Sequence, residues 1–219
     1  METDKIELKT LLISLGTLIG VEFLARVVIS KGLYHSMVFL GVLRLVETIL
    51  VLLIVSFWGK GISSIGLTPQ RMGMGFKRGL IWSAGFGAIA AISFVVLFIA
   101  GIDPLALVRV RLPSGSDDII IYVLVGVIVG PVAEEVFFRG LIYGFLRRWG
   151  AVVAVTVSTL IFVLAHPSAF SGIPFTQAVG GILFAVAYEK EQNLVTPITI
   201  HVLGNMAIFA LSWVFVTSQ

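Results

Sequence analysis

Glu134 and Glu135 stand side by side in an apolar stretch, Val132-Ala133-Glu134-Glu135-Val136-Phe137-Phe138-Arg139-Gly140, with Arg139 four residues after the second. An ionisable side chain at a bilayer centre costs about 2.5–3.5 kcal/mol on insertion scales, so three in one apolar helix call for partners or for chemistry. Glu135 and Arg139 share a helix face, whereas Glu134 is rotated from Glu135 by about 100°. One carboxylate is then held ionised by Arg139 and the other is left to face a cavity. General acid–base chemistry asks for such a division between adjacent carboxylates.

Three more polar groups lie further along: His166, His201 and Asn205. His201 and Asn205 are four apart, so two hydrogen-bond donors share one face and could hold a developing oxyanion. His166 offers a second imidazole from a neighbouring helix. Counting about 1.5 Å per residue from the nearest basic loop residues, Glu134 lies roughly 20 Å deep, His166 roughly 25 Å, and His201 and Asn205 roughly 16 and 22 Å. In a core of about 30 Å these depths form one slab, central to outer. Pro131 frees a backbone carbonyl just before the glutamates, an irregularity tolerated where a neighbouring helix satisfies the backbone. Phe162 reads as core packing.

The elements that must position these groups are membrane helices. The chain has 219 residues, 58% hydrophobic and 12% charged, with mean hydropathy +1.08, whereas soluble domains carry about 25% charged residues. Seven apolar segments stand out, with six to eight spans allowed by length: about 8–29, 37–58, 79–102, 119–146, 149–166, 175–188 and 194–216. The sixth is short and could begin near Phe170. The expected fold is an all-α polytopic bundle forming one membrane-embedded domain, residues 1–219. Gly59-Lys60-Gly61 ends the second span, and the basic stretch through Arg78 reads as an interfacial helix or loop. Ser116 or Asp117 could cap the fourth helix. Lys60, Arg71, Lys77 and Arg78 in one loop and Arg147 and Arg148 in another place the N-terminus in the cytoplasm and the C-terminus outside. The N-terminal run reads as a retained span rather than a cleaved signal.

Two further charge pairs, Glu22 with Arg26 and Arg44 with Glu47, have helix-face spacing and read as an ion-pair lock between the first two spans. Zero cysteines exclude disulfides and thiolate chemistry. The net charge of +3 reads as an orientation signal, not a nucleic-acid footprint.

Glu-Glu-x-x-x-Arg at 134–139, Phe-x-x-x-His at 162–166 and His-x-x-x-Asn at 201–205 follow one another on successive helices. Together they resemble the CAAX protease and bacteriocin-processing family, also called the ABI family, which includes type II CAAX prenyl endopeptidases. The resemblance runs from about Ile119 to Val216. It implies a metal-independent, glutamate-type intramembrane endopeptidase with no cofactor, acting on a membrane-associated protein or peptide. By resemblance Glu134 is the base that activates water and His166 helps to position it. His201 and Asn205 would hold the oxyanion, and Glu135 and Arg139 would support the first carboxylate. The expected location is the inner membrane of a prokaryotic cell. Prenylated substrates are not implied, since no prenyl pocket is legible, and the depth of His166 favours substrate presented near the outer leaflet. Three other readings compete: a zinc protease using two histidines and a glutamate, with His35 as a third histidine near the first loop; a proton-coupled carrier; and a non-catalytic scaffold.

Overall fold

A computed structural model describes residues 6–32, 36–113, 115–166 and 174–217. His35 and Phe170 lie outside the described residues. Among the described residues there are seven helices besides short 3-10 turns: α1 Leu8–Ser30, α2 Met37–Trp58, α3 Met72–Ile99, a long rod α4 over 116–149, α5 Ala151–Leu164, α6 Phe175–Glu191 and α7 Val195–Thr217. The protein is an all-helical membrane bundle. Five helical stretches are long and apolar enough to cross a bilayer: Leu8–Ser30, Met37–Trp58, Ile62–Ile99, Asp117–Trp149 and Val195–Val214. The fifth and sixth expected segments are helices too, but shorter. α5 has 14 residues and α6 has 17, about 21 and 26 Å against a core of about 30 Å.

The basic stretch before residue 79 is neither a loop nor a separate interfacial helix. It forms the first two turns of α3, which starts at Met72. The reason lies in glycine packing. A side chain at Gly75 would meet Asn193 Oδ1 at 2.3 Å, and one at Gly79 would meet Thr199 Cβ at 2.5 Å. This small-x-x-x-small pair lets α3 approach α7 and the corner before it almost backbone to backbone. Ahead of α3, Gly66 adopts φ +77° and its carbonyl accepts from the Leu194 amide at 3.1 Å. A non-glycine residue rarely takes that conformation, so Gly66 ties the turn before α3 to the α6–α7 corner.

Arg44 bridges the first two helices. It donates to Glu22 at 2.7 Å and to Glu47 on its own helix. The lock expected between the spans is therefore present, with Arg44 rather than Arg26 at its centre. α4 begins with Gly115 in the N-cap position, one residue ahead of the expected candidates Ser116 and Asp117. Asp117 and Asp118 instead lie in its first turn, where negative charge suits the helix dipole.

α4 is not a regular α-helix. Two π-helical stretches, Val123–Val129 and Val136–Tyr143, flank a short α-helical piece, Gly130–Glu135, that carries both glutamates. Such widened turns concentrate at functional sites. The core lies along this rod: Leu141, Tyr143, Ala185 and Leu194 are fully or almost fully buried on one side, and Phe138, Phe162, Phe184 and Ile200 cluster on the other.

Candidate active site

Glu135 and Arg139 are completely buried. Arg139 Nη1 donates to Glu135 Oε1 at 3.0 Å and Nη2 donates to the Gly181 carbonyl of α6 at 3.0 Å. The rings of Phe162 and Phe184 lie 4.7 and 5.2 Å from the guanidinium carbon, where an arginine gains cation–π attraction. A buried ion pair is sustained only when further hydrogen bonds satisfy its remaining polar atoms. Here the Gly181 carbonyl meets Arg139 Nη2 and His201 Nδ1 lies 2.8 Å from Glu135 Oε1, the oxygen that Arg139 also meets, while Glu135 Oε2 and Arg139 Nε are buried without a partner.

Glu134 is set apart as its rotation requires. Its carboxylate is part-exposed and lines a cavity of about 910 Å³ walled by α1, α2, α4 and the end of α5. Glu134 Oε2 faces two imidazoles at once, His166 Nε2 at 3.6 Å and His201 Nε2 at 3.8 Å. Both separations exceed a direct hydrogen bond, and Glu134 Oε2 is buried without a hydrogen-bond partner.

The two histidines differ through what holds their other nitrogen. His166 Nδ1 lies 2.7 Å from the Phe162 carbonyl. A carbonyl only accepts, so Nδ1 carries the proton and neutral His166 presents Nε2 as an acceptor. His201 Nδ1 faces the Glu135 carboxylate, again as donor. Phe184 stacks on the His201 ring at 4.4 Å and 23°, and Phe162 packs beside His166 at 4.6 Å. Neither imidazole is free to turn.

The structure thus brings Glu134, Glu135, Arg139, His166 and His201 together. Asn205 sits one turn beyond His201, and its Nδ2 donates to the Gly126 carbonyl of α4 at 3.0 Å. Phe184 and Gly181 were not legible as site residues. The Gly180-Gly181 pair in an otherwise bulky helix was the one available signal. A Cβ on Gly181 would meet Thr159 Cγ2 at 2.9 Å, so this glycine permits close α5–α6 approach and exposes the carbonyl that Arg139 needs. Phe162 is core, as its burial shows, and its carbonyl and ring also set His166.

Comparison with known proteins places this cluster in context. Residues 116–207 match a family described as type II CAAX prenyl endopeptidase Rce1-like. The chain is similar to the membrane-embedded CAAX protease MroQ of Staphylococcus aureus (strain USA300). The two are 41% identical over 93 residues, covering 38% of this chain and 37% of that protein. It is also similar to the putative membrane peptidase YdiL of Bacillus subtilis (strain 168), at 31% identity over 84 residues, 38% of this chain and 34% of that protein. The matched part spans little more than a third of these curated relatives. No solved structure matches the chain.

Proposed function

We propose that the chain, whose residues 116–207 match the family described as type II CAAX prenyl endopeptidase Rce1-like, is an intramembrane endopeptidase that uses Glu134 to activate water. The observation that carries this reading is the convergence of Glu134 Oε2 with two imidazole Nε2 atoms beside a large cavity. A water in the cavity donates one hydrogen to the Glu134 carboxylate and one to His166 Nε2. Glu134 takes the proton as the water oxygen bonds to the scissile carbonyl carbon. His201, held by Glu135 through Nδ1, turns Nε2 toward the resulting oxyanion, with Asn205 as the donor that the family pattern implies. Glu134 then returns its proton to the leaving nitrogen as the carbon–nitrogen bond breaks. Glu135 and Arg139 never touch substrate. They hold His201 in orientation.

The substrate is a membrane-associated protein or peptide lying in the cavity between α1–α2 and α4–α5. In this reading the single domain sits in the inner membrane of a prokaryotic cell, N-terminus in the cytoplasm and C-terminus outside. Protein reconstituted in liposomes with a library of quenched fluorescent peptides tests it. Wild type should cleave, while Glu134→Gln and His201→Ala should not. Equal cleavage by all three proteins would sink the assignment. Two imidazoles and a carboxylate are also donors that zinc accepts, so the assay is repeated in excess chelator. Full activity there supports the metal-free mechanism, and loss restored by zinc replaces it.

A further inference from the structure

Asn205 shares its helix face with His201, yet the bond it makes is to backbone. The partner is the Gly126 carbonyl, in the first π-helical stretch of α4. That carbonyl has lost both of its possible helical donors. In an α-helix it would accept from Gly130, but the Gly130 amide donates to Val125, five residues back. In the π register its donor would be residue 131. That residue is Pro131, which has no N–H. The carbonyl is therefore orphaned by sequence, and a carbonyl left unmet inside a bilayer is strongly disfavoured. Asn205 supplies the missing donor from α7.

The position of this bond matters. Gly130–Glu135 is the short α-helical piece bearing both glutamates, and it starts where the π stretch ends. How far the rod is unwound between Val123 and Val129 sets the rotation at which Glu134 and Glu135 emerge. The Asn205 amide holds that unwinding in place, on the same helix that carries His201.

We propose that Asn205 is a positioning residue: its amide stands in for the N–H that Pro131 removes from α4, and so fixes the rotation of Glu134 and Glu135 against the two histidines. It acts through α4 by one hydrogen of its amide, given to the Gly126 carbonyl, and the second N–H of that amide stays available for the oxyanion role that the family pattern implies. The effect on turnover rests on Glu134 being the base. The effect on α4 does not.

A double-mutant cycle on the full chain in lipid tests this. Asn205→Leu removes the donor, and Pro131→Ala returns an N–H to the register that Gly126 faces. Asn205→Leu should lower the melting temperature, speed hydrogen exchange across 123–135, and reduce kcat at least tenfold with little change in KM. Adding Pro131→Ala should recover most of the stability and protection, and at least tenfold of the lost kcat. If stability and exchange recover while kcat stays low, the effect on turnover does not run through α4 and the proposal is overturned. Additive losses overturn it as well. Should Asn205→Leu fail to fold, Asn205→Ser carries the same cycle through exchange alone. If wild type shows no peptidase activity, the proposed function fails, while the stability and exchange arms still decide the role of Asn205.

Discussion

At the scale of single residues, the adjacent glutamates show how one register step gives two carboxylates opposite surroundings. Glu135 is a fully buried ion with Arg139 and His201 as partners. Removing it strands a buried guanidinium, so Glu135→Gln should cost about 3–5 kcal/mol of stability, measured by thermal unfolding in detergent. Glu134 holds nothing together: it faces the cavity and two imidazole nitrogens across gaps. Glu134→Gln should leave unfolding unchanged and lower peptidase turnover by about 10²–10⁴-fold, the usual yield of a general base. If instead Glu134→Gln unfolds the protein and Glu135→Gln does not, the two roles are reversed. This division was legible in the sequence, because a spacing of four and a rotation of about 100° follow from helix geometry alone. The aromatic stack on His201 was not. Phe184 meets that ring through the register between α6 and α7, which no local spacing encodes.

At the scale of elements, α4 departs most from what its sequence foretells. Hydropathy marks a long span over 119–146, and the helix is there, but apolar periodicity carries no sign of two π-helical stretches. Pro131 alone points to a backbone in need of an outside partner. The start of α3 was misplaced because Lys77 and Arg78 suggested an interface, whereas Gly75 and Gly79 allow the helix to begin earlier against α7. α5 and α6 meet at another such contact. Gly181→Ala would press a methyl against Thr159 Cγ2 and displace the carbonyl that receives Arg139. Overpacking of this kind costs about 1–3 kcal/mol, and the site should lose activity with it. Thr159→Ser removes the opposing methyl, so the double variant should regain both unfolding temperature and activity. A double variant no better than Gly181→Ala would show that the contact is not what limits it.

At the scale of the whole molecule, the first two helices form a wall facing the last four. Arg44 joins α1 to α2 through Glu22, and Arg44→Met should loosen that wall, seen as a lower melting temperature with His166 and Glu134 otherwise undisturbed. Orientation is directly measurable because the chain has no cysteine. In intact cells an impermeant maleimide should label Leu107→Cys and reach Lys60→Cys only after permeabilisation. The reverse result would invert the proposed topology. The wall also has a length. The cavity is lined by Leu15 through Arg26 on α1 and by Leu40 through Val51 on α2. Gly41 lies against Val125, so Glu134, further down α4, is level with the Leu15–Val51 end, and Arg26 stands at the other. The eleven steps from Leu15 to Arg26 rise about 16 Å, and an extended chain advances about 3.3 Å per residue, so about five substrate residues fit between the two ends. The cavity is in effect a gauge. Lengthening a peptide on that side should raise kcat/KM residue by residue up to about five and add nothing beyond; a steady rise past that point would show that the protein does not measure its substrate here.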